Sequence, residues 1–274
     1  MSKTNRHVLP GFSLSLGYTL LYLSLLTMVP LVACFTKAFS LSFDQFWAAV
    51  WTPRTIAAYQ FSLMVAFVSS VASVVLGFVI AWVLVRYEFP LKRVFDALID
   101  LPFALPTAVA GLVYSGLYVE NGWLGQFLVP LGIHGAYSRF AVVLVLTFLG
   151  IPFVVRTLEP VLDSLEADKE EAAYLLGANR VQTFWRVIFP TLIPAAITGF
   201  ALSLARGLGE YGSVVFVSGN MPFRTEIAPV LIVARLEQFA YAEATAIAVV
   251  LLVISFAMLV LINLLERWSS RYYG

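Results

Sequence analysis

Arg206 and Glu210 carry opposite charges four residues apart, in a stretch of the chain that is otherwise apolar. On a helix this spacing places both side chains on one face, where they can form an ion pair. Charged groups are costly inside a membrane, so they face the interior of a helix bundle or water and pair with one another. The pair therefore has two interpretations. It belongs to a solute path or its gate, or it neutralises itself and fixes the packing of the helix.

Glycine and proline residues accompany this pair and a second apolar stretch. Gly207, Gly209 and Gly212 permit a kink and a close approach of helices, so a hinged gate segment is predicted around the pair. Pro102 and Pro106 remove backbone donors where another apolar stretch starts, which either frees groups that line a cavity or only shapes the entry of a helix. The predicted translocation residues are Pro102, Pro106, Thr107, Arg206, Gly207, Gly209, Glu210 and Tyr211.

The side chains that usually carry catalysis or hold metals are scarce. The chain has one cysteine and two histidines, His7 and His134, which excludes a disulfide framework and predicts no metal site. A Gly-x-x-x-x-Gly-Lys-Ser/Thr phosphate loop is absent from the sequence, so the chain itself is predicted not to hydrolyse ATP and to bind no cofactor. No catalytic residue is predicted, and the chain is interpreted as something other than an enzyme.

The composition predicts a membrane protein. Hydrophobic residues make up 61% of the 274 residues and charged residues only 12%, against roughly 25% charge in a soluble domain. This excludes a soluble enzyme, a nucleic-acid-binding protein and a disordered chain, and the net charge of +1 implies no polyanion as a partner.

Five of six uncharged stretches are long enough, or nearly so, to cross about 30 Å of hydrocarbon as helices. The remaining one, at 140–155, is short, but Arg139 and Arg156 on either side of it can extend to the two interfaces. We predict one all-α integral membrane domain over residues 1–274. Its six spans are expected at about 14–35, 61–85, 99–119, 140–157, 192–217 and 243–265. Eleven of the 17 lysines and arginines lie on the side of the two termini and five on the other side. By the positive-inside rule, both termini are predicted to lie in the cytoplasm.

The longest polar segment is the connection at 158–190, which lies on the cytoplasmic side by this count, and it predicts two short helices. Gly177 is expected to end the first helix in the left-handed conformation. Asn179 and Gln182 form a capping pattern for the second helix, and Pro190 is expected to end it before the fifth span. The second helix also has an apolar face that is predicted to pack on the bundle. That face consists of Val181, Phe184, Trp185 and Ile188.

The first of these helices either receives another protein or lies at the membrane surface without a partner. Its Glu-Ala-Ala at 171–173, followed after three residues by Gly177 and after nine more by Val-Ile-Phe-Pro at 187–190, resembles the EAA loop of ABC importer permeases. The resemblance implies that the loop forms a coupling helix that docks on a cytoplasmic ATPase. The coupling residues are then Glu170, Glu171, Ala172, Ala173, Leu176 and Gly177.

Four further segments extend the resemblance over nearly the whole chain. Residues 8–12 (Val-Leu-Pro-Gly-Phe), 100–111, 151–156 and 207–212 are similar to the T-type permease subunits of sulfate/thiosulfate ABC importers. This implies a type I importer permease in the cytoplasmic (inner) membrane. The implied partners are one W-type permease subunit, two ATPase subunits that bind ATP and Mg, an external sulfate-binding protein and membrane lipid, with no nucleic acid.

Two alternatives remain for the transported solute and the energy source. The first is an ABC permease for molybdate or tungstate, because molybdate permeases are similar in the third and fifth spans. The second is a secondary transporter driven by an ion gradient. Such transporters usually show repeated halves, and no internal repeat is found in this sequence. The outer connection at 218–242 is expected to fold back as a short helix over the path and to contact an external binding protein.

Overall fold

The computed structural model describes residues 12–165 and 167–273, and the regular structure of this part of the chain is helical, without strands. Residues 8–11, which contribute to the family resemblance, lie outside it. The all-α prediction is confirmed. The helices are α1 (Phe12–Ala38), α2 (Phe43–Val50), α3 (Pro53–Arg86), α4 (Lys92–Ile99), α5 (Leu101–Ala104), α6 (Thr107–Tyr118), α7 (Gly125–Leu128), α8 (Arg139–Asp163), α9 (Ala167–Leu175), α10 (Arg180–Thr183), α11 (Phe189–Leu208), α12 (Val214–Val217), α13 (Ala228–Glu237) and α14 (Tyr241–Tyr273).

Five helical segments among the described residues are long and apolar enough to cross a membrane. They overlap the first, second, fourth, fifth and sixth predicted spans. The segments are Leu14–Ala38, Pro53–Arg86, Arg139–Asp163, Arg180–Leu208 and Tyr241–Leu264. The count of six crossings stays a prediction, because the stretch predicted as the third span contains only a shorter apolar helix, Thr107–Tyr118.

The stretch at 99–119 is interrupted rather than only bent. α5 ends at Ala104, Leu105 is extended, and α6 begins at Thr107 after Pro106 and runs for 12 residues. The residue before a proline avoids the helical conformation, and proline has no N–H to donate into a continuing helix. α6 is therefore only about 18 Å long, less than the thickness of the hydrocarbon layer.

The stretch at 192–217 is also interrupted. α11 ends at Leu208, a turn follows over Gly209 to Ser213, and helical conformation resumes as the short α12. The charged residue Glu210 lies in this turn and not within a helix. The gate segment predicted from the sequence is thus a break in the helix rather than a kink within it.

Pro190 does not end the helix that precedes it, so this prediction is wrong. Helical conformation continues from α10 through a π turn at Phe184–Ile188 into α11. In the π turn the N–H of Phe189 donates to the carbonyl of Phe184, five residues back. The wider turn leaves room for the proline ring, which would clash with the preceding turn of a regular α-helix.

The centre of the bundle consists of α3, α8 and α11, which pack along one another. Val65 of α3, Leu158 of α8 and Leu204 of α11 are at most 1% exposed. Between helices in a bilayer, such contacts act through close packing rather than through removal of apolar surface from water. α1 packs on α14 at the periphery and leaves most of its side chains exposed, as expected for a helix surrounded by lipid.

One arginine fixes the segment at 92–100 on α8. Arg156 donates to Asp96 at 2.7 Å, to Asp100 at 2.7 Å and to Glu159 of its own helix at 2.6 Å. A second donation to Asp100, from Nε at 3.0 Å, makes that contact bidentate. Bidentate arginine–carboxylate contacts fix geometry as well as charge. Arg156 therefore holds α4, and the turn that leads into α5, against α8.

Near the start of α3, a second arginine fixes the connection at 218–242. Arg54 contacts Glu226 through Nε at 2.8 Å and Nη2 at 2.6 Å, and the Glu226 side chain is only 3% exposed. Two residues further on, the N–H of Ala228 donates to the hydroxyl of Ser62 at 2.8 Å. The short helix expected in the outer connection is present as α13, and these contacts hold its first turn on α3.

Candidate functional site

The Arg206–Glu210 pair lies where α11 ends. The two side chains form an ion pair, with Arg206 34% exposed and Glu210 only 2% exposed. The Glu210 carboxylate also accepts from the N–H of Ser213 at 2.8 Å and from its hydroxyl at 3.0 Å. A buried carboxylate requires such partners, because leaving a charge unpaired in an apolar interior is costly. Glu210 thus closes the turn over 209–213 through its own side chain.

α6 lies directly against this turn. At Gly111 a Cβ atom would overlap the carbonyl oxygen of Ser213 and lie 2.7 Å from its Cα. At Gly212 a Cβ atom would overlap the hydroxyl of Thr107. Only glycine permits this approach of two backbones. Thr107, one of the predicted translocation residues, therefore lies beside Gly212, an approach that the sequence did not indicate, and Gly111 and Ser213 were not among the predicted site residues.

Replacement of Gly111 by alanine is expected to destabilise the folded protein by about 1–3 kcal/mol, because the added methyl group overlaps the 209–213 turn. The measurement is the thermal unfolding midpoint of the purified protein. Gly116→Ala is the matched control on the same helix, since a Cβ there meets no atom within 4 Å. Equal midpoints for the two variants would contradict the close approach of α6 to the turn.

The other predicted translocation residues occupy separate environments. Pro102 is buried and lines an apolar cavity with Phe148 and Ile151, whereas Pro106 is exposed. Gly207 faces Ala66 of α3, and a Cβ there would lie 3.4 Å from that side chain. Gly209 is exposed, and Tyr211 packs against a buried cluster around Val214. Thr107 therefore lies beside the 206–212 segment, whereas Pro102 lines an apolar cavity away from it.

The predicted coupling residues form an exposed helix and its C-terminal turn. Tyr174, Leu175 and Leu176 are 77%, 84% and 88% exposed, and Glu171 and Ala172 are exposed as well. Three neighbouring apolar side chains that are this exposed are typical of a contact site for another protein. We call the face formed by these five residues the docking face of α9.

Residues close together in the sequence form the turn between α9 and α10, as predicted. Gly177 has φ +82°, and the N–H of Ala178 donates to the carbonyl of Ala173 at 3.0 Å, which is a Schellman ending. The N–H of Gln182 donates to Asn179 Oδ1 at 2.8 Å, and Gln182 Oε1 accepts from the N–H of Asn179 at 2.9 Å. This capping box starts α10 and fixes the angle between the two helices.

The apolar face predicted for the second helix packs only in part. Phe184 contacts the rings of Phe78 and Trp82, and Ile188 is 4% exposed. Val181 and Trp185 are 65% and 58% exposed, so the prediction that they pack on the bundle is wrong. The π turn shifts the register of the helix after Thr183, so a regular helical period no longer describes where Trp185 faces, whereas Val181 lies before the shift in the short α10.

Arg86 is a contact of this region that the sequence did not indicate. It is the last residue of α3, and its guanidinium forms an ion pair with Glu170 of α9. In the sequence Arg86 is one of several basic residues of a connection predicted to lie on the cytoplasmic side, and nothing local links it to a residue 84 positions away.

Residues 73–271 match the family described as binding-protein-dependent transport system inner membrane component. The chain belongs to this family. The match includes both the 206–213 segment and the docking face of α9. It makes the chain a membrane component of a transport system rather than an enzyme. The resemblance to ABC importer permeases is thereby confirmed.

Curated relatives cover almost the full length of the chain. The sulfate transport system permease protein CysT of Synechocystis sp. is 50% identical, over 93% of this chain and 89% of its own length. The CysT protein of Salmonella typhimurium is 46% identical, over 100% of this chain and 99% of its own. That of Escherichia coli is 44% identical, over 99% of this chain and 98% of its own.

Solved structures share the fold at low sequence identity. A chain of a bacterial ABC transporter that imports the acidic polysaccharide alginate has a TM-score of 0.75 at 18% identity, with 93% of this chain and 94% of that chain covered. A chain of the MetNI methionine ABC transporter, in an inward-facing conformation, has a TM-score of 0.60 at 18% identity, with 84% and 99% covered. The predicted fold, that of a type I ABC importer permease, is confirmed.

Proposed function

We propose that this chain is the T-type permease subunit of an ATP-driven importer that carries sulfate or thiosulfate across the cytoplasmic (inner) membrane. The observation that carries the proposal is the 44–50% identity to sulfate transport system permease proteins over nearly the whole chain. The alginate and methionine importers support the fold alone, because their identity to this chain is 18%.

The partners follow from this function. A W-type permease subunit completes the path, two ATPase subunits bind ATP and Mg and hydrolyse the ATP, and an external sulfate-binding protein delivers the anion. The exposed docking face of α9 supports an ATPase as the partner on the cytoplasmic side, and Glu170, Glu171, Ala172, Ala173, Leu176 and Gly177 form the coupling segment. Both termini lie on that same side, as the distribution of lysine and arginine indicates.

The proposed cycle uses α9 as the moving part. ATP closes the ATPase dimer, and its motion displaces α9. The spans then tilt and open the path to the outside, where the binding protein releases its anion, and hydrolysis resets the complex. Six crossings are retained in this proposal, with α5 and α6 together replacing a single third helix.

Arg206 and Glu210 serve in this proposal as a structural pair at the gate. The contact with Glu210 supports this choice, because a guanidinium neutralised by a buried carboxylate has less charge left to attract an anion. No tight sulfate site is assigned to this chain, so high affinity belongs to the external binding protein. The residues assigned to the path and its gate are Pro102, Pro106, Thr107, Arg206, Gly207, Gly209, Glu210 and Tyr211.

Uptake measurements test the solute and the energy source together. The chain is expressed with its W-type, ATPase and binding-protein partners in a bacterium that lacks its own sulfate importers, and the same cells without the chain are the control. Radiolabelled sulfate is expected to enter, and excess thiosulfate is expected to compete. Competition by molybdate but not by thiosulfate would favour the molybdate alternative. Uptake that persists without the ATPase subunits would favour a gradient-driven transporter.

A further inference from the structure

Arg86 contacts a glutamate of α9 and a tryptophan of its own helix, α3. Its Nη2 forms an ion pair with Oε1 of Glu170 in α9. Its Cζ lies 5.3 Å from the ring centroid of Trp82, one turn earlier in α3, in a cation–π contact. The Trp82 ring in turn lies 5.6 Å from that of Phe184 in the π turn. The Arg86 guanidinium therefore links the end of α3 to α9, and the Trp82 ring that it contacts packs in turn on the start of the 180–208 helix.

The Arg86 guanidinium depends on Glu170 for charge neutralisation, because it is partly shielded from water. The Arg86 side chain is 27% exposed and that of Glu170 is 32% exposed, so both are partly shielded from water. The Nε of Arg86 is buried and has no hydrogen-bond partner among the described residues. Partial burial strengthens a charge pair and raises the cost of separating it.

α9 has little else that holds it on the bundle. Its backbone packs on α10 and the π turn, which follow it in the chain, while its docking face points away from the protein. Among the side chains that the structure describes, the Arg86–Glu170 pair is the hydrogen-bonded or ionic link between α9 and α3. Without this pair, α9 is held on the bundle through its neighbours in sequence.

We propose that Arg86 is a positioning residue that holds α9 on the end of α3, so that a displacement of α9 reaches α3 as well as α11. This inference rests on the proposed coupling function of α9. It also gives two neighbouring glutamates different roles. Glu170 binds inside the chain, and the exposed Glu171 is left to contact the ATPase.

Hydrogen exchange in the purified complex tests the position of α9 directly. Arg86→Gln and Glu170→Gln are each expected to make the backbone amides of residues 169–175 exchange about threefold faster, because a partly buried ion pair is lost. The charge-swapped double variant, Arg86→Glu combined with Glu170→Arg, is expected to restore slow hydrogen exchange. Arg93→Gln is the matched control, since Arg93 is exposed on the following cytoplasmic connection and has no acidic partner among the described residues.

Sulfate uptake by the same variants tests the consequence. In each single variant, sulfate uptake per assembled complex is expected to be several-fold lower than in the wild type. The charge-swapped double variant is expected to recover most of this loss. Unchanged hydrogen-exchange rates in Arg86→Gln would overturn the proposal. A charge-swapped double variant that assembles, but in which residues 169–175 still exchange fast, would also overturn it. If the wild-type complex carries no sulfate while the exchange rates respond as expected, the proposed function fails and the positioning role stands.

Discussion

Replacement of Gly177 by valine is expected to reduce sulfate uptake about tenfold or more, since a Cβ in the left-handed conformation costs roughly 1–2 kcal/mol and a branched one more. Gly177 has φ +82°, and a Cβ built there meets no atom within 4 Å. The strain therefore lies in the backbone alone, and it is relieved by unwinding the turn between α9 and α10. The docking face then loses its fixed orientation toward the ATPase subunit proposed as its partner. The measurements are uptake and the stimulation of ATP hydrolysis by the loaded binding protein.

Asparagine at position 177 is the matched control, because it tolerates the left-handed conformation better than other residues that carry a Cβ. Gly177→Asn is expected to retain most of the sulfate uptake, although the asparagine side chain is larger than that of alanine. A variant with valine that transports and couples like the wild type would remove the coupling assignment of this turn. Equal loss in both variants would indicate that side-chain bulk, and not backbone conformation, is what the partner rejects.

Replacement of Arg206 by alanine is expected to destabilise the protein by about 2–4 kcal/mol, because Glu210 is left charged and buried without its partner. This value lies below that for a fully buried pair, since the Arg206 side chain is 34% exposed and partly screened by water. Glu210→Ala should also destabilise the protein, because it removes two hydrogen bonds to Ser213 along with the ion pair. The measurements are the unfolding midpoint and sulfate uptake of the complex.

The double variant separates the two roles of this pair. If the pair is structural, Arg206→Ala combined with Glu210→Ala recovers stability and uptake relative to Arg206→Ala alone. If Arg206 contacts the anion, stability recovers but uptake does not. The pair of Lys92 and Glu88, which has the same four-residue spacing at 2.8 Å and whose Glu88 side chain is 89% exposed, is the control, and its replacement is expected to change either quantity little.

Local chemistry explains which details could be predicted from the sequence. The capping box at Asn179 and the left-handed Gly177 depend on residues within a few positions of one another, so their types alone determine the conformation. The Arg206–Glu210 pair is likewise local. In contrast, the approach of Gly111 to Ser213 joins residues about 100 positions apart, and a glycine in an apolar stretch does not show which backbone will lie beside it.

The effect of the prolines on helix continuity was the hardest feature to predict from the sequence, because it depends on the packing around each proline. Pro106 interrupts the third stretch more completely than expected, since Leu105 before it adopts the extended conformation. Pro190 interrupts nothing, because the preceding turn widens while Phe184 packs between Phe78 and Trp82. A single sequence contains no signal for such tertiary packing, and the docking of Arg86 on Glu170 was missed for the same reason.

The continuity of the helix past Pro190 has a mechanical consequence. From Arg180 to Leu208 the chain forms a rod of 29 residues, which at 1.5 Å per residue is about 43 Å long. Pivoting such a lever by about 5° at its Arg180 end carries the Leu208 end through roughly 4 Å. The turn that contains Glu210 is attached directly to that far end. If the helix moves as one body through its π turn, a small rotation beside α9 becomes a displacement longer than a hydrogen bond at the turn that contains Glu210.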